Sequence, residues 1–484
     1  MDTIVDNDVI TFKDIENYIY DYICQIGIRL TQELLKELDV KIMKERDTSK
    51  YRHKGLKDDH IRCIYGDVPY SRALYKTTDD DGHACFVYLL NEVLKMDTVG
   101  KMSLNVIETI AGSCTKMSYR NAAAEINRNT NINLTHQSAW NVIQKLGEKI
   151  EADEKKLVRQ YQTEYMGDGE IVPVLFEEAD GVFIHLQRKD RPQKQSGKEI
   201  KVSVCYKGWN ESGEVVGKVM SSGFEDGKDF QRLREAAIRQ VYNPDEAKLR
   251  ILNGDGASWI KAVEDPETIL QLDRFHIYKK IRDCIRDKEM QSRLCRMYEE
   301  KKIDELLESI QIYADSVATE DEKDRREKKA LEVLGYLSEN KDILLSYRDR
   351  GLEIPEPPKG ICYKNPGIQE NQNCTNITLR MKHNKSSWSI AGANHMAKIL
   401  VRFANRTIWE DIGRYKDAII DRDIEPVVWK ILSAAKAPKT DGTGNKTGNV
   451  TTGHILYREA KMTASRKAFL SIFNERTASQ LIYR

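Results

Sequence analysis

At 484 residues the chain has room for two to four domains, each long enough to bury a core of its own. Hydrophobic residues make up 40% and charged residues 32%, a soluble globular balance, and no apolar run approaches the roughly 20 residues that span a bilayer. The net charge of +1 hides an asymmetry: residues 371–484 hold 19 Lys/Arg against 9 Asp/Glu, a balance of +10, leaving −9 for residues 1–370. A basic final quarter behind an acidic body suits a polyanion partner there, and a solvated basic surface equally well. Asp2, Asp6, Asp8 and Glu16 make the start too acidic for a secretory signal. Nine scattered cysteines without a Cys-x-x-Cys pair support neither a disulfide framework nor a zinc ribbon, so reduced thiols in the cytoplasm are expected.

In chain order, residues 12–46 read as a long amphipathic helix, with Ile15, Ile19, Ile23, Ile26, Leu30, Leu34 and Leu38 near helical spacing. Ile61–Tyr65 and Val68–Leu74 alternate as two short strands around a Gly66-Asp67 turn. Helices are predicted at 83–95 and 102–113. Residues 117–150 then read as a helix-turn-helix. Ser118 caps the first helix, polar residues Asn127 to Asn133 break it, and Thr135 caps a second helix over Gln137–Leu146, with Ala139, Trp140, Ile143 and Leu146 inward. The exposed face would carry His136, Gln137, Asn141 and Lys145, side chains suited to a DNA major groove, although any helical hairpin can look this way.

From 171 to 287 strands and helices alternate. Strands are predicted at 171–178, 182–187, 200–206, 248–253 and 267–272, with helices at 228–241, 257–264 and 276–286. Three strands in a meander followed by helix, strand, helix, strand and helix is the order of a ribonuclease H-like α/β fold. Asp180, Asp255 and Asp273 each follow an apolar strand run. Carboxylates at strand ends are the oxygen donors that hard divalent cations take, and two such ions can clamp the attacking and leaving oxygens of a phosphodiester. The ordinary alternatives are a turn residue before Gly181 for Asp180 and a helix cap for Asp255. Asp273 and His276, three apart, can share one face of a helix start, where the alternative is an acid on the helix dipole beside a half-buried histidine. Lys279 and Lys280 on the following helix could track a DNA backbone or simply face solvent. Residues 287–350 are charged and helical (Met297 to Leu307, Glu320 to Leu337, Lys341 to Tyr347), with apolar positions sparse enough to suggest an insertion rather than core. Prolines 355, 357 and 358 break the chain, 388–404 returns to helix, and Lys436–Gly453 is a Gly-rich loop.

Several blocks together resemble the ISLre-type bacterial insertion-sequence transposases, DDE enzymes with a Mutator-like catalytic core. They are Glu178-Ala-Asp-Gly181 with Val182–Gln187, Asn253-Gly-Asp-Gly-Ala257, Leu272-Asp-Arg-Phe-His276, Arg380-Met381, Trp388–Ala393 and Met396-Ala397. Tyr65–Val68 and Met117–Arg120 look similar too. The resemblance implies a ribonuclease H-like catalytic domain over 166–430 with a helical insertion at about 287–350. It implies a mainly helical N-terminal region (1–60), a hairpin and helix-turn-helix DNA-binding region (61–165) and a basic tail (431–484). It further implies metal-dependent cleavage at element ends and strand transfer into target DNA. The catalytic and metal-holding acids would be Asp180, Asp255 and Glu370, with two Mg²⁺ or Mn²⁺ ions. Glu370 sits in Gln369-Glu370-Asn371, where the family pattern has a small residue before the acid and Gly after it; Glu410 is the fallback. Asn394 stands where some related groups have Glu. Asp273 and His276 would orient the site or touch a flanking phosphate. Lys382, Lys385 and Arg402 would add phosphate contacts. The expected partners are terminal inverted repeats and target DNA, bound by a homo-oligomer associated with a bacterial nucleoid, with no membrane.

Overall fold

The computed structural model describes residues 11–413, apart from 80–81, 95, 97–100, 192–196, 264, 319–324 and 384–385. The expected basic tail and its Gly-rich loop therefore lie outside the described residues. These residues form two compact units, one of residues 11–106 and 127–133, the other of 107–126 and 134–413. No described helix is long and apolar enough to cross a membrane.

The first unit opens with helix α1 (Phe12–Glu45), started by a reciprocal cap in which the Thr11 hydroxyl accepts the Asp14 N–H and the Asp14 carboxylate accepts the Thr11 N–H. Leu35 and Leu38 of its second half are buried with Leu90. Strands β1 (Arg52–Cys63) and β2 (Gly66–Thr78) form an antiparallel hairpin, paired from Arg52↔Lys76 to Cys63↔Gly66. The hairpin is much longer than the expected pair of short strands, and its turn is Ile64-Tyr65, two residues earlier than read. Strand β3 (Ala84–Val87) pairs with β2 where a helix was expected from residue 83, and only α2 (Leu89–Val93) is helical there. Cys85, Phe86 and Val87 suit a pleated edge better than a helix, and the open β2 edge supplies their partners.

Helices α3 (Leu104–Cys114) and α4 (Tyr119–Asn129) lead to α5 (His136–Thr163). The expected caps are present: the Ser118 hydroxyl accepts the Asn121 N–H at 3.2 Å and the Thr135 hydroxyl accepts the Ser138 N–H at 3.1 Å. Helix α5 runs well past Leu146, and Trp140 is 39% exposed rather than inward.

The sheet of the second unit is built from β4 (Val174–His185), β5 (Gly197–Tyr206), β8 (Val219–Gly223), β9 (Leu249–Gly254) and β10 (Ile269–Leu272), with a small ribbon of β6 (Gly208–Trp209) and β7 (Val215–Val216) between β5 and β8 in the chain. Its order is β10-β9-β4-β5-β8. Strands β9 and β10 run parallel to β4, whereas β5 runs antiparallel to β4 and β8 antiparallel to β5. The runs read as two strands, 171–178 and 182–187, are one continuous strand, and the third strand of the meander is 219–223, which the sequence did not flag. Gly181 does not turn the chain. It pairs with Lys201, and a Cβ there would lie 1.9 Å from Glu199 Oε1, so the glycine makes room for that side chain.

Between and after these strands come α6 (Gly227–Arg239), α7 (Ser258–Lys261), α8 (Arg274–Cys284), α9 (Lys288–Glu299), α10 (Ile303–Val317) and α11 (Arg326–Glu339). The helix expected over Met297–Leu307 is broken between α9 and α10, where Lys301 takes φ +63°. Nor are the inserted helices short of core. Leu294, Leu306, Ile310, Val333 and Leu337 are fully buried together with Ile277 and Ile281 of α8. The helical run Gln369–Met381 comprises α12 (Gln369–Gln372), a π-helical stretch (Asn373–Thr378) and α13 (Leu379–Met381). Helix α14 (Ile390–Asn405), capped by Ser389, and α15 (Ile408–Ile412) follow.

Strand alternation divides β4 between two environments. Phe176, Glu178 and Asp180 share one face, where the Phe176 ring stacks on Tyr206 and meets Trp209, Tyr347 and Tyr363 edge-on. On the other, Leu175 packs with Cys205, Ile238 and Tyr242, and Ala179 with Leu252 and Ile260. Between them Glu177, fully buried, bonds the Arg250 guanidinium, which also bonds Glu235, with Arg234 3.5 Å from Glu177.

Candidate active site

The register of the parallel strands sets the geometry. Pairing of β4 with β9 ends at Ala179↔Gly254, and pairing of β9 with β10 ends at Gly254↔Leu272. Asp180, Asp255 and Asp273 are each the next residue after that common limit, so three acids follow the same edge of the parallel ladder. Each is pinned by a local donor. Asp180 Oδ1 accepts the Gly181 N–H at 2.8 Å, Asp255 Oδ1 the Ala257 N–H at 2.8 Å, and Asp273 Oδ1 the Phe275 N–H at 2.9 Å. The turn after Asp255 needs Gly256, which takes φ +84°, a region that side-chain-bearing residues rarely adopt. Asp273 is at once the N-cap of α8 and a member of the cluster. Three residues on, His276 Nε2 lies 3.8 Å from Asp180 Oδ1.

Glu370, exposed on α12, bears on them through its charge. Burial pushes the Asp180 carboxyl up to about 6, and the charges of Asp255 and Glu370 add to this against the pull of His276 and the Gly181 N–H. Asp273 is raised by burial too, with Glu370 and Asp255 acting in the same direction. The expected set Asp180, Asp255, Glu370, Asp273 and His276 thus forms one electrostatic cluster. Glu410, the fallback, is exposed on α15. Asn394 donates to Glu151 on α5 at 3.3 Å.

Three side chains near these acids escaped the sequence reading. Glu178, fully buried, accepts from the Tyr206 hydroxyl (2.6 Å), the Asn253 amide (3.1 Å) and the backbone N–H groups of Gly367 (3.0 Å), Ile368 (3.0 Å) and Gln369 (3.3 Å). It therefore anchors the start of the helical run that carries Glu370. Burial raises its carboxyl, and the Tyr206, Gly367 and Ile368 bonds oppose the rise. Asn373, the first π-helical residue, donates to Asp180 Oδ2 at 2.8 Å and accepts from Gln369 at 2.8 Å. π-Helical turns are rare and concentrate at functional sites. Glu199 is raised by burial and by Asp255, against the pull of Lys201. Period-2 spacing from Asp180 could have flagged Glu178. Nothing local could have flagged Asn373, which meets Asp180 from 193 residues away.

The expected DNA-contacting residues divide. His136, Gln137, Asn141 and Lys145 are all exposed on α5, with Gln137 donating to Asn141 at 3.1 Å. Lys279 is exposed, with its ammonium 5.5 Å from the Phe275 ring, while Lys280 pairs with Glu332 at 2.6 Å. Lys382 is exposed and Lys385 lies outside the described residues. Arg402 does not fit its expected role. Its side chain is 18% exposed and lies between Glu154 (3.7 Å) and Asp411 (3.5 Å), so its charge is already matched inside the fold.

Residues 5–417 match the family described as "Uncharacterised protein family (UPF0236)". Similar curated proteins include UPF0236 proteins of Caldanaerobacter subterraneus subsp. tengcongensis, one 24% identical over 451 residues, covering 89% of this chain and 87% of that protein. Another is the UPF0236 protein in the vanSb 3′ region of Streptococcus gallolyticus, 20% identical over 413 residues, covering 81% and 83%. Among solved structures, the Drosophila P element transposase strand transfer complex aligns with 72% of this chain and 90% of its own at 8% identity and a TM-score of 0.22, a likeness too slight to carry an argument.

Proposed function

The chain belongs to the UPF0236 family, and we propose that it is a DNA transposase of the DDE type, cleaving phosphodiesters at the ends of a mobile element and joining them to target DNA. One observation carries the reading: Asp180, Asp255 and Asp273 each follow the last paired residue of adjoining parallel strands, with Glu370 acting on the same cluster. A ribonuclease H-like core is supported by the strand order, an antiparallel meander β4-β5-β8 with β9 and β10 added in parallel on the other side of β4. The ISLre-type resemblance supports the same reading from sequence.

The donor chemistry fits a hard divalent cation. The donors are carboxylate oxygens that act on one another through charge, and burial, with the repulsion of Asp255 and Glu370 added, raises Asp180. Among the described residues, however, no three His, Cys, Asp or Glu side chains are gathered as a metal-holding set. Asp180, inside β4, and Asp255 and Asp273, after β9 and β10, are instead each held by a hydrogen bond of their own. Asp180, Asp255 and Glu370 would hold the ions, whose chemistry is to activate a water or 3′-hydroxyl and to stabilise the leaving oxygen. The chain's own part is positional. Glu178 fixes the helix bearing Glu370, Asn373 orients Asp180, and Asp273 and His276 start α8 against the cluster. The exposed face of α5 would read DNA.

The test uses purified protein, Mg²⁺ and a plasmid carrying the DNA that flanks the encoding gene. Joined strand-transfer products are expected, and Asp255→Asn should reduce them by several orders of magnitude, since catalytic metal clamps contribute several kcal/mol to the transition state. Wild-type activity in that variant would remove the mechanism. Cleavage without joining would indicate a nuclease, and binding without cleavage an element-derived DNA-binding protein.

A further inference from the structure

Next to the helix that carries Glu370, a cavity of about 810 Å³ opens between the β6–β7 ribbon, Gln372 and the end of α14. Two of its lining residues are Lys218 and Arg406. Neither forms an ion pair among the described residues. The Lys218 ammonium donates only to the neutral Gln372 amide, at 2.9 Å, and it is half-buried. Burial pushes its pKa down, and the Arg406 charge pushes the same way. Two cations that repel each other thus face one space, on a wall that also carries Glu214, and an anion entering there would relieve that repulsion.

The backbone adds a second observation. Arg406 follows the last residue of α14 at φ +62° and ψ 23°, left-handed geometry that glycine or asparagine usually fills. Its neighbour Asn405 locks this turn to β8, accepting the Met220 N–H at 2.8 Å and donating to the Met220 carbonyl at 2.9 Å. The left-handed turn ends α14, with the Arg406 N–H donating to the Phe403 carbonyl at 3.1 Å, but a helix end does not require an arginine there, and this one sets its charge beside Lys218. The carboxylate on the wall, Glu214, is held by the Asn210 amide at 2.8 Å. Asn371 and Gln372, which directly follow Glu370, also line the space.

We propose that Lys218 and Arg406 bind a phosphate of the DNA strand, flanking the phosphate attacked beside Glu370. This rests on the transposase reading and deepens it. A backbone running past Glu370 would place its next charges over Asn371 and Gln372, where the two cations and the two amides can receive it.

The test is binding of a labelled duplex by the full chain at several salt concentrations, for wild type, Lys218→Gln and Arg406→Gly. Lys218→Gln keeps a donor toward Gln372, and Arg406→Gly relieves the left-handed backbone, so neither should lower the thermal midpoint. Each is expected to weaken binding about 5- to 10-fold at low salt and to reduce the slope of log K against log salt by about 0.9, the value for one phosphate contact. Unchanged affinity and slope in both variants, with Asp255→Asn still abolishing strand transfer, would overturn this inference and leave the transposase reading standing. Absence of DNA binding by the wild type would overturn both. Inorganic phosphate stabilising the wild type but not Arg406→Gly, with duplex binding equal in the two, would assign the site to a free phosphate ligand and reject the DNA strand.

Discussion

The Glu178 carboxylate, in the middle of strand β4, accepts the backbone N–H of Gly367 at 3.0 Å across 189 residues of chain. The bond joins strand and helix at the point where both lead to an acid. Asp180 lies two residues further along the same strand face, and Glu370 three residues along the other segment. In all, five donors converge on Glu178, three of them backbone groups that nothing else in a dry interior would satisfy.

Glu178→Gln should therefore act on catalysis without touching DNA. The amide keeps one acceptor oxygen but presents an NH₂ group to N–H donors, which costs about 1–3 kcal/mol. A helix start free to shift by about 1 Å would misplace Glu370 and lower turnover about 100-fold. Stability by denaturation, DNA affinity and turnover measured together check this. A fall in DNA affinity at unchanged turnover would deny Glu178 its positioning role.

Asp180 predicts a dependence on pH. Its carboxyl titrates near 6 in the folded chain and near 3.9 when unfolded, so the folded state binds the proton more tightly. Stability is then lost as pH rises from about 4 through about 6, by about 2–3 kcal/mol in the absence of a cation. Asp180→Asn should be the more stable protein above pH 6 and lose that advantage below pH 4. Adding Mg²⁺ should raise the wild-type midpoint above pH 6 and leave the variant unmoved. Thermal melts at pH 3.5, 5 and 7.5 decide it, and parallel curves for the two proteins would reject the raised Asp180 carboxyl.

How much of this was legible beforehand depends on the range of each interaction. The caps at Ser118 and Thr135 and the strands leading to Asp255 and Asp273 were readable, because period and capping act within a few residues, whereas Asp180, read as lying between two strands, sits inside one. Strand β8 was not. Its Val-Met-Ser-Ser-Gly sequence has little β signal, and it forms because β5 offers an open edge. The helices after residue 287 misled in the same way. Their apolar residues look sparse in sequence, but α8 to α11 pool them into one core. The site was legible where Asp255 and Asp273 follow their strands and illegible where Asn373 and Tyr336 reach it, the last donating its hydroxyl to the Asp255 carbonyl at 2.8 Å from 81 residues away.

On the opposite face of β4, Arg250 bonds both Glu177 and Glu235 in a buried network that also takes in Arg234. Removing one partner leaves an unmatched buried charge, so Arg250→Met should cost about 3–5 kcal/mol. Adding Glu177→Gln to that variant should recover part of the loss, because one of the orphaned charges goes with it. Equilibrium denaturation of the two variants measures this, and strictly additive losses would mean that the network is not coupled.

Gly147 predicts the opposite balance of helix propensity and packing. Alanine is favoured over glycine in a helix by about 1 kcal/mol, but a Cβ at 147 would fall 2.2 Å from His395 Cβ and 2.8 Å from its Cα. Because α14 approaches α5 backbone-close here, with His395 Nδ1 also 2.8 Å from Gln144 Oε1, the clash cannot be relieved by rotating a side chain. Overpacking of this kind costs about 1–3 kcal/mol. Gly147→Ala should therefore lower stability despite its better propensity, and a higher melting midpoint would show that the two helices can separate freely.

The far side of α5 carries the last prediction. Gln144, Gly147 and Ile150 are buried, and Gly147 and Gln144 meet α14, which leaves His136, Gln137, Asn141 and Lys145 facing outward. Gln137 and Asn141 are bonded to each other at 3.1 Å, an exchange that the edge of an adenine could replace with little net cost. Their removal should lower preference for terminal-repeat DNA over random duplex by about 1–3 kcal/mol per lost base contact, with the fold intact because both side chains are solvent-exposed. Neutralising Lys145 or Lys382 should weaken binding to both DNAs alike. Competition binding with the two duplexes separates these effects. If the Gln137→Ala, Asn141→Ala double variant keeps full preference while Lys382→Ala loses it, recognition does not reside on α5, and its exposed face serves packing between copies or none at all.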